Sequence, residues 1–338
     1  MIPKYPPPTL NELPILILCP VERCNCRCRM CGYWHRNATA TLNLEQVTQI
    51  ALEAQELRVA HVVFSGGEPL LHPDIASMCA SFRHIASHIT ILTNGLLVEQ
   101  KAEQLITVCD EIIISLDGPR EIHDDIRGVR GSFERIVEGI RAIRERSDTI
   151  NISGRCTVQK RNFRHLRQTV DTAHALGLEK ISFLAVSNDS DQFWNQAQSG
   201  EDENLIPDKQ ELPELEQELE TLAIEYAEDY KNSFIAESPE KHQRSLLHYF
   251  SGLHGLRPFA PIYCNAPWYS AIIESNGDVR TCFFTDVVGN VLTDGGLKNV
   301  LNDKKAVDLR KSVMTNQIHQ CARCVSKLHY KVSPTKTS

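Results

Sequence analysis

The chain has 338 residues, 42% of them apolar and 23% charged, enough for one large α/β domain, a smaller appendage and a sizeable core. A formal charge of −7 argues against nucleic acid or an anionic membrane as the main partner. No apolar run reaches membrane-spanning length, and "LPILILCP" (13–20) is too short and lacks the basic start of a signal peptide, so a cytoplasmic protein is expected.

Residues 1–13 are Pro-rich and read as an extended, weakly ordered lead-in. Over 14–186, six apolar runs follow: 14–20, 61–66, 88–95, 111–118, 151–159 and 180–186. They alternate with amphipathic stretches such as "LEQVTQIALEAQEL" and "FERIVEGIRAIRER". Apolar strands separated by helices predict an α/β fold with a parallel sheet, either closing as a barrel or open and doubly wound. Residues 187–258 form a helical linker or insertion. It opens with a polar, acidic loop over 187–210, followed by "LPELEQELETLAIEYAEDY" and "PEKHQRSLLHYFSGL". These two segments read as a charged, solvated helix pair rather than a cap over an active site. Residues 259–330 predict a small α+β domain, a β-hairpin plus a helix over 297–313. Its hairpin turns on Asn276-Gly277, and a two-residue loop there sets Ser275 opposite Asp278 and Ala271 opposite Cys282.

Twelve cysteines in a reducing compartment point away from disulfides and towards metal or redox chemistry. Cys24, Cys28 and Cys31 form a C-x3-C-x2-C run directly after the first strand, with Cys26 at an odd position between them. On a helix the three share one face and Cys26 points away; in a loop they converge on one metal cluster. Asn25, Arg27 and Arg29 between them are polar, unlike a core run, and the arginines can offset a cluster's negative charge. Three thiolates leave a coordination position open, whereas structural zinc takes four ligands. Near the other end, Cys264, Cys282, Cys321 and Cys324 supply four thiolates, a set that suits zinc or iron–sulfur alike. Cys19, Cys79 and Cys109 read as core, and Cys156 on the fifth strand as a small buried residue. Tyr33 and Trp34 are expected to pack beside the first thiol loop. "SGGEP" (65–69), "TNG" (93–95), "SLDG" (115–118) and "HDDIRG" (123–128) fall at strand ends, where parallel sheets bind ligands.

These motifs together resemble the radical SAM superfamily, whose signature is C-x3-C-x2-C after the first strand. The resemblance implies a partial (β/α)6 TIM-type barrel over 14–186. Cys24, Cys28 and Cys31 would hold a [4Fe–4S] cluster whose unligated iron chelates S-adenosylmethionine (SAM), leaving Cys26 a bystander. Met30 would lie near the adenine and Gly66, Gly67 and Glu68 at the methionyl amine. Asn94, Ser115 and Arg127 would supply ribose and carboxylate contacts, Arg127 by a bidentate grip. The C-terminal spacing "CNAPW…NGDVRTC…CARC" resembles a SPASM/twitch extension, implying an auxiliary [4Fe–4S] cluster on Cys264, Cys282, Cys321 and Cys324.

The implied activity is reductive cleavage of SAM to a 5′-deoxyadenosyl radical, which takes hydrogen from an unactivated carbon of a sugar-like small molecule or a peptide. Dehydrogenation, epimerisation, decarboxylation and cross-linking all belong to that class. In family epimerases a strand thiol donates a hydrogen atom, a role that would fall to Cys156. The implied partners are a small-molecule or peptide substrate and a flavodoxin- or ferredoxin-type electron donor. The short stretch before residue 14 leaves no room for a peptide-recognition domain, which favours the small molecule. The rivals are a GTP cyclase of the molybdenum-cofactor type and a non-enzymatic iron–sulfur carrier or zinc-stabilised scaffold.

Overall fold

The structure is a computed structural model that describes residues 5–35, 39–187, 205–259 and 263–331. Each of the six apolar runs forms a strand: β1 (Ile15–Leu18), β2 (His61–Phe64), β3 (His88–Thr93), β4 (Glu111–Ser115), β5 (Asn151–Val158) and β6 (Lys180–Ala185). They pair in parallel in unbroken chain order, β1 to β6. A doubly wound sheet reverses its strand order at a switch point; this one never does, so it winds in one sense as a partial barrel.

The crossovers are α1 (Leu44–Glu56), α2 (Ile75–Phe82), α3 (Val98–Val108), the consecutive pair α4 (Arg120–Arg127) and α5 (Ser132–Arg144), and α6 (Leu166–Ala175). Their apolar faces enter the core at helical spacing; α1 starts on an Asn43–Gln46 capping box and buries Val47, Ile50, Ala51 and Ala54.

The C-terminal hairpin joins this same sheet. Strand β7 (Ser270–Ile273) takes the free edge of β1 in parallel, from Ile15 opposite Ser270 to Leu18 opposite Ile273. Strands β8 (Asp278–Arg280) and β9 (Gly289–Asn290) continue antiparallel. The register differs by one residue from the expectation. Ile272 faces Arg280 and Ile273 faces Val279, so Ala271 is not opposite Cys282. Ser275–Asn276–Gly277 make a three-residue loop, closed by Glu274 N–H donating to Asp278 C=O at 2.8 Å, with Gly277 at φ 87°. That positive φ is the position glycine fills in a bulged turn, which Asn-Gly signals as readily as a two-residue one.

The lead-in is extended but fastened. Tyr5 stacks on Trp268, and Trp268 Nε1 donates to Pro7 C=O. Buried Arg310 donates to Pro8 C=O, and Asn302 bonds Leu10 through both its side-chain oxygen and its amide.

Most of the acidic loop predicted over 187–210, residues 188–204, lies outside the described residues. Beyond it, α7 (Leu212–Glu225) buries Leu215, Leu219 and Leu222. Ile235 then bridges Ile181, covering the outer edge of β6. A second helix, α8, runs over 239–253 with a π turn at Gln243–Leu247. Among the described residues, no helix is long and apolar enough to cross a membrane.

Candidate functional site

Residues 22–32 form an irregular loop held on two sides by backbone. Gly67 N–H donates to Val21 C=O at 3.0 Å and Glu68 N–H to Arg23 C=O at 2.9 Å. Opposite, Arg27 and Arg29 N–H donate to Arg127 and Ile126 C=O at the end of α4, at 3.0 and 3.1 Å. The approach of Gly67 is so close that a Cβ there would lie 2.1 Å from the Glu22 oxygen and 2.3 Å from that of Arg23. Gly67→Ala must therefore push the two loops apart. Overpacking plus two lost hydrogen bonds should cost about 3 kcal/mol, read as a lower denaturation midpoint, with iron retention after reconstitution falling in step.

The loop faces a cavity of about 440 Å³ at the carboxyl ends of the strands. Cys24, Cys28, Cys31 and Met30 line it, as do Gly66 and Gly67 after β2, Asn94 after β3, Ser115 at the end of β4, and Arg127. Tyr33 lines it too, and Trp34 Nε1 braces the loop by donating to Cys28 C=O at 3.1 Å. Asn94 Nδ2 donates to Asn25 at 2.7 Å and to the Cys24 sulfur at 3.7 Å. Glu68 stands just behind the wall, 1% exposed, where its carboxylate accepts from Leu70 N–H, Thr93 Oγ1 and Asn94 N–H. Burial pushes it up to about 7, against the pull of those hydrogen bonds.

Cys26 does not turn away, because the segment is a loop and not a helix. It lines the same cavity, with its thiol hydrogen-bonded to those of Cys24 and Cys28. That bond brings Cys28 down to about 7 against burial, with Arg127 beside it acting in the same sense, and it lowers Cys24 too. A thiol held near neutrality, as Cys28 is, is a ready metal ligand, whereas burial pushes Cys31 up to about 12. Arg127 Nη1 lies 3.6 Å from the Cys28 sulfur, and its Nη2 pairs with Asp117 at 2.7 Å. Of the loop arginines, Arg29 is spent on Asp125 at 2.9 Å.

Cys156 lies outside the cavity lining. Strand alternation puts its neighbours Arg155 and Thr157 in the cavity wall, while Cys156 faces the interior at 0% exposure and accepts from Asn162 Nδ2 at 3.5 Å. It sits there as a small buried residue.

Part of the other end of the cavity is built by a segment in which sequence reasoning named no site residue. Glu237, Lys241, Arg244, Ser245, His248 and Tyr249 come from α8 and the residue run before it. The expected solvated helix pair is thus half right: α8 is a wall of the cavity, and its π turn falls among the lining residues. Phe283, Phe284, Arg323, Cys324 and Lys327 complete the wall.

Cys264, Cys282, Cys321 and Cys324 converge from the hairpin and the C-terminal segment on a separate void of about 30 Å³, which Tyr5 and Phe284 also line. Burial raises Cys282 to about 12, with Cys264 and Cys321 adding to the rise. Among the described residues, no three His, Cys, Asp or Glu side chains are set to hold a single metal ion. Four thiols around a shared void supply the ligand set of an iron–sulfur cluster, as they would of zinc. Cys324 lines both the void and the large cavity.

The family model of the radical SAM superfamily matches residues 18–186, and that of an iron–sulfur cluster-binding domain, SPASM, matches residues 264–325. The Fe-coproporphyrin III synthase of Methanosarcina barkeri (strain Fusaro / DSM 804) is 27% identical over 177 residues, 51% of this chain and 44% of that protein, so the chain spans less than half that relative's length. A probable GTP 3′,8-cyclase of Metallosphaera sedula is 26% identical over 294 residues, covering 85% of this chain and 84% of the relative. The crystal structure of Streptococcus suis SuiB bound to S-adenosylmethionine shares the fold, with a TM-score of 0.67 at 16% identity over 95% of this chain and 74% of SuiB. With its barrel and its C-terminal cysteines both matched, the chain belongs to the radical SAM superfamily, with SAM and [4Fe–4S] clusters as its cofactors and a SPASM-type extension.

Proposed function

We propose that this chain is a cytoplasmic enzyme that cleaves SAM reductively and removes hydrogen from an unactivated carbon of a small molecule or a peptide residue held in the large cavity. The observation that carries the reading is that one cavity touches both thiol sets, Cys24, Cys28 and Cys31 at its inner end and Cys324 at its outer end. On this reading Cys24, Cys28 and Cys31 hold the SAM-binding cluster, and Cys264, Cys282, Cys321 and Cys324 the auxiliary one. Bound there, the cluster and SAM supply the electron and the 5′-deoxyadenosyl radical that takes the hydrogen atom.

The protein's own share is binding and exclusion. Met30, Gly66, Gly67, Asn94, Ser115 and Arg127 offer SAM its contacts, and Glu68 orients Asn94 from behind by accepting its N–H at 2.8 Å. Tyr33, Tyr249, Phe283 and Phe284 supply apolar surface that keeps water from a reactive intermediate. Electrons would arrive from a flavodoxin- or ferredoxin-type donor.

Anaerobically reconstituted protein given SAM and dithionite is expected to form 5′-deoxyadenosine, and deuterated candidate substrates to pass label into it. An iron–sulfur carrier or a zinc scaffold forms none. A second reading, cyclisation of GTP, draws on the long alignment with the Metallosphaera sedula protein. It is tested by the same assay with GTP as the sole substrate.

A further inference from the structure

The charges around the large cavity do not balance. With the Arg127–Asp117 pair set aside, its wall holds five cations, Arg155, Lys241, Arg244, Arg323 and Lys327, against one carboxylate, Glu237. Glu237 is already engaged: it accepts from Phe183 N–H at 3.0 Å and pairs with Lys241 at 3.5 Å and His242 at 3.6 Å. Arg244 donates only to a backbone carbonyl of its own helix, that of Glu240, at 3.4 Å. Among the described residues, neither Arg244 nor Lys327 is paired with a carboxylate.

Lys241 and Arg244 come from α8, Lys327 from the C-terminal segment and Arg155 from β5, so three elements deliver like charges to one cavity. All three line the same cavity wall, where burial and the Arg244 and Lys241 charges lower the pKa of Lys327 while Cys324 and Cys264 raise it. Arg155 is desolvated deeper in, with Ser182 Oγ at 3.5 Å. In a chain of net charge −7 such a gathering runs against the average field. Repelling cations inside a cleft are stabilised when an anion enters it.

Resting on the reading of this cavity as the seat of SAM and substrate, we infer that its outer end, at Lys241, Arg244 and Lys327, receives an oxyanion of the substrate, a carboxylate or a phosphate. SAM, a sulfonium with a zwitterionic methionyl end, cannot neutralise these cations. The C-terminal thiolates are the competing explanation for Lys327 and Arg323, which neighbour Cys324 in the chain; Lys241 and Arg244, on α8, lie outside those thiol segments.

The test titrates full-length, anaerobically reconstituted, SAM-loaded protein calorimetrically with pyrophosphate and with citrate. At least one probe is expected to bind, more weakly as salt rises, and at least about tenfold more weakly in a Lys241→Gln/Arg244→Gln double variant of unchanged iron content. Arg244→Lys should keep most of the affinity. Tighter binding of pyrophosphate assigns a phosphate, and tighter binding of citrate a carboxylate. Binding of neither probe, equal affinity in the double variant, or loss of iron from it overturns the inference. A wild-type protein that forms 5′-deoxyadenosine yet binds neither probe sinks the anion site alone. One that binds a probe but never cleaves SAM sinks the functional reading instead.

Discussion

Replacing Cys28 with alanine is expected to abolish 5′-deoxyadenosine formation and to remove about four iron atoms per chain. Cys28 is the central one of the three proposed cluster ligands in the first loop. It is buried, its sulfur lies 3.6 Å from Arg127 Nη1, and its pKa falls to about 7 through the Cys26 hydrogen bond and the Arg127 charge, against burial. Its carbonyl holds Cys31 N–H at 3.2 Å and Trp34 Nε1 at 3.1 Å, and alanine leaves those backbone contacts intact. The loss should therefore be chemical, with the fold retained. Cys26→Ala is the paired control. It removes a hydrogen-bond partner of two proposed ligands, so iron should stay and activity should drop by no more than about tenfold, the low end of what outer-shell partners cost. Equal iron loss in both variants would make Cys26 a ligand and overturn the assignment.

The six parallel strands are legible in the sequence because each is a short run of aliphatic and β-branched residues closed by turn residues, and the candidate motifs "SGGEP", "TNG" and "SLDG" because they sit at those closures. Much of the cavity's outer half is not legible. Lys241 and Arg244 read as the solvated face of a helix, since charge alone does not say whether a face meets bulk water or the mouth of a cleft, and a π turn leaves no mark in composition. The hairpin register escapes for a simpler reason: two- and three-residue loops differ by one position and both favour Asn-Gly. The fastening of the lead-in depends on Tyr5 meeting Trp268 from the far end of the chain, a contact that only the joining of β7 to β1 brings about. Asp117 lies within "SLDG", but burial, not sequence, makes it half of an ion pair.

That ion pair carries the other large effect. Asp117 Oδ2 lies 2.7 Å from Arg127 Nη2 with side-chain exposures of 0% and 9%, and its Oδ1 accepts from Thr157 N–H at 2.9 Å. Asp117→Asn keeps the size and the Thr157 bond while removing the charge. Arg127 is then a buried cation whose carboxylate is gone, beside the Cys28 sulfur. Breaking such a pair from one side costs about 3–5 kcal/mol, a large share of a typical folding free energy of about 5–15 kcal/mol. The expected result is a clear fall in denaturation midpoint at unchanged denaturant slope. An Asp117→Asn/Arg127→Met double variant should recover part of it, because no orphaned charge remains. Burial acts on Asp117 in the opposite direction, raising its pKa from the usual carboxylate value. Were that strong enough to keep Asp117 protonated, asparagine would be nearly isosteric and isoelectronic with it. The single variant would then lose less than about 1 kcal/mol, the scale of one ordinary hydrogen bond, and the double variant would be the worse of the two. The order of the two variants thus reads the charge state of the pair that sets Arg127 against the cluster loop.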